Sequence, residues 1–195
     1  MSSSSYSMHG SLPLWVLLLA LAFATARAEV TVDGVSFPEQ VTINATVVPL
    51  RGVENYRYLF FRVHVGALYI PADVPPAEVL SANVPKRLEL EYQRPISADD
   101  FRKSGNRLLE KQQDAATLRQ LADRLETLNA AYRDMEPGDR YALEYAPGRG
   151  TRLLQNGTPL ALVPGRDFAE VYFGIWLHPQ NPLSRDFRDQ LIQHR

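Results

Sequence analysis

The chain has 195 residues, of which 45% are hydrophobic, and its formal net charge at pH 7 is −1. This near-neutral balance gives no overall electrostatic attraction to nucleic acid or to an anionic membrane surface. The chain contains no cysteine, which excludes disulfides, a thiol nucleophile and a lipid anchor on cysteine.

An apolar segment from Leu12 to Ala24 is followed by the small-residue pattern Ala26-Arg27-Ala28. The segment has about 13 residues, fewer than the roughly 20 that span a bilayer, which favours a secretory signal peptide cleaved after Ala28. An uncleaved membrane anchor is the alternative, because no Lys or Arg precedes the segment. We expect residues 1–28 to be removed and residues 29–195 to form one exported domain, in the periplasm and without a transmembrane segment.

Four segments in the first half of the remaining chain have patterns typical of regular structure. Residues 40–48 alternate apolar and polar side chains, which predicts a strand. The apolar stretch Tyr56 to Ile70 predicts a long strand that ends at Pro71, and a short helix is expected at about residues 77–82. Residues 87–94 alternate Leu and Tyr with Glu, which predicts a strand with one solvated face.

Two helices are predicted next. Ser97 is a suitable N-cap, and Asp99 and Asp100 follow it in the first turn, where the helix dipole favours acidic residues. This position in the first turn explains why Asp99 and Asp100 are adjacent, so the pair does not indicate a catalytic site. A second helix is predicted from about Ala115 to Tyr132, where leucines recur at three- and four-residue spacing.

The last part of the chain predicts strands and then helices. Residues 141–145 alternate, and Asn156-Gly157 in the middle of residues 151–163 is a strong signal for a β-hairpin. Residues 168–176 indicate a buried helix, and Ser184 is a suitable N-cap for a last short one. Strands and helices that are grouped, without regular βαβ alternation, predict an α+β fold with an antiparallel sheet.

Motifs for metal or cofactor chemistry are missing from the sequence. His64, His178 and His194 do not lie at metal-ligand spacing. There is no nucleophile elbow, phosphate-binding glycine loop or dinucleotide fingerprint. Glu89 and Glu91 are expected on the solvated face of their strand. We therefore predict no metal and no cofactor.

Four segments follow one another in a distinctive order: GVSFPEQV, LFFRVHVGALYIP, KRLELEYQRPIS and PGDRYALEYAPGRGTRLLQNGTPLALVPGRDFAEVYFGIWL. In this order they resemble the bacterial chalcone isomerase-like family over nearly the whole chain after residue 28, with an altered ending at Trp176-Leu177-His178. The resemblance implies an open-faced β-sandwich, in which helices cover one side of a large antiparallel sheet. It also implies a ligand cleft between the sheet and the helices.

The plant enzymes that this fold resembles cyclise a chalcone to a flavanone and use an Arg and a Thr on the strand that matches the LFFRVHVGALYIP segment. The resemblance places His64 at the Thr position. Tyr56 stands at the Arg position, with Arg57 beside it. On the following helix, Phe101 falls near a Tyr and Asn106 near an Asn of the enzymes. Since Phe101 has no hydroxyl, chalcone cyclisation is not expected; noncatalytic plant relatives bind fatty acids instead.

Arg62 and His64 lie at the centre of the apolar stretch, and alternation places both on one face of the predicted strand. One interpretation is that both face solvent, with Arg62 paired to a glutamate of a neighbouring strand. In the other, His64 lines a largely apolar ligand pocket. Arg57, on the opposite face unless a bulge intervenes, is then a weaker candidate to anchor an acid.

The leading hypothesis is a noncatalytic exported protein that binds a small hydrophobic or amphipathic ligand, such as a fatty acid. Its candidate binding residues, taken from the strand and the first helix, are His64, Arg57, Phe101, Arg62 and Asn106. An isomerase or lyase with His64 as acid or base is the first alternative. A protein-interaction module of the cell envelope, recognised by an exposed apolar patch, is the second.

Overall fold

The computed structural model describes residues 28–193. Its strands are β1 (Glu29–Val32), β2 (Val35–Pro38), β3 (Gln40–Ile43), β4 (Thr46–Tyr58), β5 (Phe61–Tyr69), β6 (Lys86–Tyr92), β7 (Arg140–Ala146), β8 (Gly150–Gln155) and β9 (Thr158–Val163). Its α-helices are α1 (Ala98–Gln112), α2 (Ala115–Ala131), α3 (Arg166–Leu177) and α4 (Arg185–Ile192). Strands β3 to β9 form one antiparallel sheet in chain order, and β1 pairs with β2 in a small second sheet. The predicted α+β fold is confirmed.

Two segments that were predicted as single strands are hairpins, so those predictions were wrong. Residues 40–48 contain a turn in which Asn44 has a φ of 53°. The stretch Tyr56 to Ile70 turns at Leu59 and Phe60, between β4 and β5, and Leu59 has a φ of 55°. Neither Leu59 nor Phe60 is a residue type that favours turns, so no local sequence signal indicates this reversal.

Most of the other predicted elements are confirmed. Asn156 and Gly157 have φ values of 49° and 80°, as a tight hairpin turn between β8 and β9 requires. The Ser97 hydroxyl accepts a hydrogen bond from the Asp100 amide at 3.1 Å, and so begins α1. The short helix expected at residues 77–82 is only a single 3₁₀ turn, Pro76–Glu78.

The helices cover one face of the large sheet, and the two layers enclose the main hydrophobic core. Helix α4 lies directly on β4 at Gly52, where an added Cβ would lie 2.6 Å from the carbonyl oxygens of Gln190 and Leu191. Only glycine permits this close approach. A second core on the opposite face includes Phe37, Val48 and other residues that pack beneath the small sheet. Both cores lie between Glu29 and Ile192, so this segment contains its own packing partners.

The face of β6 that was predicted to be solvated is covered, so that prediction was wrong. Glu89 is buried, as is Glu144 on the neighbouring strand β7. Arg140 pairs with Glu89 at 3.2 Å and with Glu91 at 2.6 Å, while Arg87 lies 2.7 Å from Glu89 and 3.4 Å from Glu144. Arg152 also pairs with Glu144, so three arginines balance the charge of three glutamates in one network.

The small sheet explains why this face is buried. The guanidinium of Arg140 lies 4.8 Å from the centre of the Phe37 ring in β2 and donates a hydrogen bond to the Ser36 carbonyl at 2.9 Å. The β1–β2 hairpin thus covers charged side chains that alternation alone assigns to solvent. Its placement depends on long-range contacts that no local sequence pattern reports.

Candidate functional site

A cleft of about 590 Å³ opens between the helix-covered face of the sheet and helices α1 and α3. Strands β4, β5 and β6 supply one wall, and the two helices, with the end of α2, supply the other. Its main lining residues are Tyr56, Tyr58, Val63, His64, Tyr92, Arg94, Phe101, Ser104, Gly105, Leu108, Tyr132, Tyr172, Ile175 and Trp176. Most of these side chains are aromatic or aliphatic, which is typical of ligand-binding clefts.

Phe101 lies at the inner end of the cleft, within a cluster of aromatic rings. Its ring stacks on Tyr132 with centroids 5.2 Å apart and contacts the edges of Tyr92 and Tyr141, each at 5.1 Å. The same ring borders a smaller cavity of about 30 Å³, which lies deeper against the sheet and also touches Tyr141. Phe101, together with Tyr92, Tyr132 and Trp176, therefore lies between the open cleft and an apolar extension.

Two tyrosine hydroxyls meet in the cleft. The hydroxyl oxygens of Tyr132 and Tyr172 lie 2.5 Å apart and share a hydrogen bond. Burial raises the pKa of both phenols above its ordinary value. Both groups stay protonated near neutral pH, so the pair can offer a neutral donor to a bound molecule.

His64 is buried in the cleft wall and is only 3% exposed. It stacks on Tyr56 with ring centroids 5.0 Å apart and meets Phe187 edge-on at 5.1 Å. Its Nδ1 atom has no hydrogen-bond partner among the described residues, and desolvation lowers the pKa of the imidazole to about 3. The interpretation that His64 faces solvent is wrong, and the ring is neutral at physiological pH.

A cation stands at the mouth of the cleft. Arg94 is exposed, and its guanidinium carbon lies 5.2 Å from the centre of the Phe61 ring. Within residues 28–193 it has no carboxylate partner. Asp100 lies at the same rim, where it accepts a hydrogen bond from the Ser97 hydroxyl at 2.7 Å. The mouth is thus polar while the interior is apolar.

Comparisons with known proteins identify the family. A model described as chalcone isomerase-like matches residues 29–193. The chain belongs to the chalcone isomerase-like family. Among solved structures, a fatty-acid-binding protein of Arabidopsis thaliana superposes with a TM-score of 0.62 at 13% sequence identity, over 85% of this chain and 96% of that one. At this identity the likeness shows a shared fold. No curated protein matches the sequence significantly.

Family membership agrees with the architecture that the resemblance implied. The chalcone isomerase-like chain has a large antiparallel sheet, helices on one face and a cleft between them. No helix in residues 28–193 is long and apolar enough to cross a membrane. The same part of the chain holds no group of three or more acidic or histidine side chains that could bind a metal.

The structure brings only two of the five predicted binding residues to the cleft of this chalcone isomerase-like protein. His64 and Phe101 line it, whereas Arg57, Arg62 and Asn106 do not. Asn106 instead accepts a hydrogen bond from the Asn129 side chain at 3.1 Å. This hydrogen bond connects α1 to α2, so Asn106 has a structural role outside the cleft.

A bulge explains why Arg62 leaves the face of His64. In the β4–β5 pairing, His64 lies opposite Tyr56 but Arg62 lies opposite Arg57, so the register shifts by one residue. Because side chains alternate between faces, this shift carries Arg62 to the side of Arg57. Both arginines contact Asp33 in the β1–β2 turn, at 3.3 Å from Arg57 and 3.8 Å from Arg62. The expected partner of Arg62 was a glutamate.

Sequence reasoning missed the cation at the mouth and the tyrosine pair. Arg94 continues the alternation of Leu90 and Tyr92 beyond the end of β6, which could have placed it on the cleft side. Tyr132 was assigned to the apolar face of its helix and Tyr172 to a buried helix. Their pairing joins positions 40 residues apart, and no spacing rule connects them.

Proposed function

We propose that this chalcone isomerase-like protein binds a small amphipathic molecule, with a fatty acid as the best match, and does not convert it. The supporting observation is the polarity of the cleft. Its interior is aromatic and aliphatic with a neutral imidazole, and Arg94 lies at its mouth. A volume of about 590 Å³ falls within the roughly 300–1,000 Å³ of small-molecule sites. The similar plant structure is that of a fatty-acid-binding protein.

The proposed ligand lies with its chain inside and its carboxylate at the mouth. Burying a carboxylate beside the Tyr132–Tyr172 pair would remove its hydration without supplying a cation, which is costly. At the mouth, Arg94 can pair with the acid while water solvates both. The Tyr56 position, which resemblance assigns to an Arg in the enzymes, offers no positive charge.

The state of His64 argues against catalysis by that residue. A general acid or base works best when its pKa is near the operating pH. With a pKa of about 3, the His64 imidazole is a weak base, and its conjugate acid is scarcely present near neutrality. Phe101, at the position that resemblance assigns to a Tyr, has no proton to donate.

Export is also part of the proposal. It is supported by the apolar segment Leu12 to Ala24 and the Ala26-Arg27-Ala28 pattern. The family match begins at residue 29, which is consistent with a single domain after that point. Fractionation of producing cells and N-terminal sequencing would test this, with a periplasmic protein that begins at Glu29 as the expected result. A cytoplasmic protein with an intact N-terminus would contradict export.

The binding proposal can be tested by mass spectrometry of the purified protein, first native and then after organic extraction. The useful variant is Gly105→Leu, because Gly105 lines the cleft on α1 and the nearest atom to a Cβ added there would be the Tyr172 hydroxyl oxygen, at 3.8 Å. A leucine fits the helix but projects into the cleft. Arg107→Leu, on an exposed position of the same helix outside the cleft, is the matched control.

We expect the unmodified protein and Arg107→Leu to release a fatty acid or take one up at near-stoichiometric amount, and Gly105→Leu to bind much less. Arg94→Gln should weaken binding of the acid but not of the corresponding alcohol. Equal uptake by Gly105→Leu would place the ligand elsewhere. An empty protein that takes up no lipid or flavonoid would overturn the proposal.

A second candidate, an isomerase or lyase, is favoured by the tyrosine pair. Two neutral phenols 2.5 Å apart in an apolar cleft are suited to stabilise negative charge that develops on a substrate oxygen. A panel of chalcones and related enones should be assayed with the unmodified protein and with Tyr172→Phe. Turnover that is lost in Tyr172→Phe would support this candidate, and binding without turnover would exclude it for that panel.

A further inference from the structure

Four consecutive hydrophobic residues are exposed at the turn between β4 and β5. We call Tyr58, Leu59, Phe60 and Phe61 the hairpin tip. Phe60 is 96% exposed and Leu59 is 74% exposed, and the other two side chains are more than half exposed. The remaining large exposed hydrophobic residues in the described chain, Val47 and Leu162, lie singly. A contiguous exposed apolar group of this kind marks an interaction surface.

The hairpin tip is not explained by the needs of folding. Leu59 has a φ of 55°, a conformation in which Asn or Gly is far less strained than leucine. Phe60 makes no aromatic contact among the described residues and does not belong to either core. Stability and solubility would both favour polar turn residues here, so the apolar side chains point to a role outside the fold.

The hairpin tip is bordered by positive charge. Arg57 and Arg62 share a single carboxylate, Asp33, and Arg94 lies over the Phe61 ring without a carboxylate partner in the described chain. With Asp100 at the cleft rim, three cations therefore stand near two carboxylates, which leaves a local excess of positive charge. The whole chain has a net charge of −1, but association with a surface depends on the local charge at the point of contact.

We propose that the hairpin tip docks onto a lipid bilayer that contains anionic headgroups. Phe60 and Leu59 would enter the boundary between headgroups and acyl chains, and Tyr58 would lie at the interface, where amphipathic rings are favoured. The arginines would remain at headgroup level and pair with lipid phosphates. Apolar side chains ringed by arginines match this surface better than they match a neutral protein partner.

The hairpin tip also adjoins the mouth of the cleft. Tyr58 belongs to the hairpin tip, Arg94 lies over its Phe61 ring, and both residues line the cleft. Docking would therefore bring the mouth to the membrane, and an amphipathic ligand would pass between bilayer and cleft with its chain shielded from water. This transfer rests on the proposed function, whereas docking itself does not require the cleft to bind anything.

Single-site labelling tests the docking directly. The chain contains no cysteine, so Phe60→Cys provides one site for an environment-sensitive fluorophore, and Leu162→Cys provides a matched exposed site away from the hairpin tip. The protein is used from Glu29 onward, since the apolar segment before it would bind vesicles by itself. The vesicles contain equal parts of phosphatidylcholine and phosphatidylglycerol, or phosphatidylcholine alone.

We expect the label at position 60, but not at position 162, to shift to shorter emission wavelength when the mixed vesicles are added. In co-sedimentation of the unlabelled protein, Phe60→Ser should lower vesicle affinity about tenfold, the loss expected when one large apolar side chain is no longer buried. Leu162→Ser should change it little. Arg62→Gln should weaken binding to the mixed vesicles more than to phosphatidylcholine alone.

Three outcomes would overturn the docking. They are equal responses of the two labels, unchanged sedimentation of Phe60→Ser, and an oligomer in the absence of lipid that Phe60→Ser dissociates. The last would show that a second copy of the chain covers the hairpin tip. Fatty-acid uptake from solution by Phe60→Ser separates the two proposals, because Phe60 does not line the cleft. Retained uptake with lost docking supports both.

Discussion

The hydroxyl oxygens of Tyr132 and Tyr172 lie 2.5 Å apart, although one residue caps the C-terminus of α2 and the other lies within α3. Tyr172→Phe would leave the part-buried Tyr132 hydroxyl without its partner, and we expect the free energy of unfolding to fall by about 1 kcal/mol. Replacing both tyrosines with phenylalanine should cost less than the sum of the two single changes. Urea denaturation of the four proteins measures this coupling, and strictly additive effects would contradict it.

His64 makes stability depend on pH in a defined direction. Its pKa is about 3 in the folded protein and about 6.5 in the unfolded chain, so the unfolded chain takes up the proton first. The contribution of His64 to the free energy of unfolding is therefore fully present above pH 6.5. It is lost as the pH drops toward 3, by up to about 1.4 kcal/mol per pH unit.

The contribution of His64 is isolated by comparison with His64→Leu. Carboxylates such as Asp99 and Asp114 also change stability in acid, but they do so equally in both proteins. The difference in unfolding free energy between the two should therefore slope between pH 6.5 and 3 and be flat above. A difference that does not vary with pH would mean that His64 takes up its proton equally in the folded and unfolded states, as an exposed histidine does.

The buried charge network predicts a large cost for losing one carboxylate. Glu144 is 3% exposed and contacts both Arg87 and Arg152. Glu144→Gln leaves Arg152 without a carboxylate and Arg87 with Glu89 alone, and we expect a loss of about 1–3 kcal/mol. Glu126→Gln, at an exposed position of α2, should change stability by less than about 0.5 kcal/mol. Thermal unfolding of the two variants measures this contrast. Similar losses of stability in Glu144→Gln and Glu126→Gln would contradict the prediction.

Phe101 sets the depth of the cleft. Phe101→Ala should join the open cleft of about 590 Å³ to the cavity of about 30 Å³ behind the ring. If the protein binds fatty acids, the variant should shift its preference toward longer chains, because each further buried methylene contributes about 0.8 kcal/mol. Competition between two saturated fatty acids of different length measures the shift. An unchanged preference would show that the chain does not reach Phe101.

Much of the fold could be predicted because its local signals are strong and agree with one another. Asn156-Gly157 tolerates the positive φ of its turn, Ser97 caps α1 and Ser184 caps α4. The turn at Leu59 and Phe60 could not be predicted, because neither residue type favours it. That turn is imposed by the pairing of β4 with β5 over most of their length.

The candidate site was harder to predict than the fold, since its residues are placed by non-local geometry. One bulge moves Arg62 away from the face of His64. The small β1–β2 sheet covers glutamates of β6 whose alternation with apolar residues predicts a solvated face. Resemblance to the family led to His64 and Phe101. It could not lead to Arg94, which lies at the cleft mouth only because β6 ends beside the β4–β5 turn.

The docking of α4 on β4 has a consequence for the order of folding. Phe187 of α4 contacts the rings of Tyr56 and His64, which lie more than 120 positions earlier in the chain. Contacts between such distant segments form slowly, because closing the long intervening loop costs conformational entropy before the contact adds any stability. The wall residues Tyr56 and His64 are therefore packed from behind only when the last helix of the chain arrives. Ligand uptake thus offers a direct kinetic readout of complete folding, and should lag behind formation of the sheet.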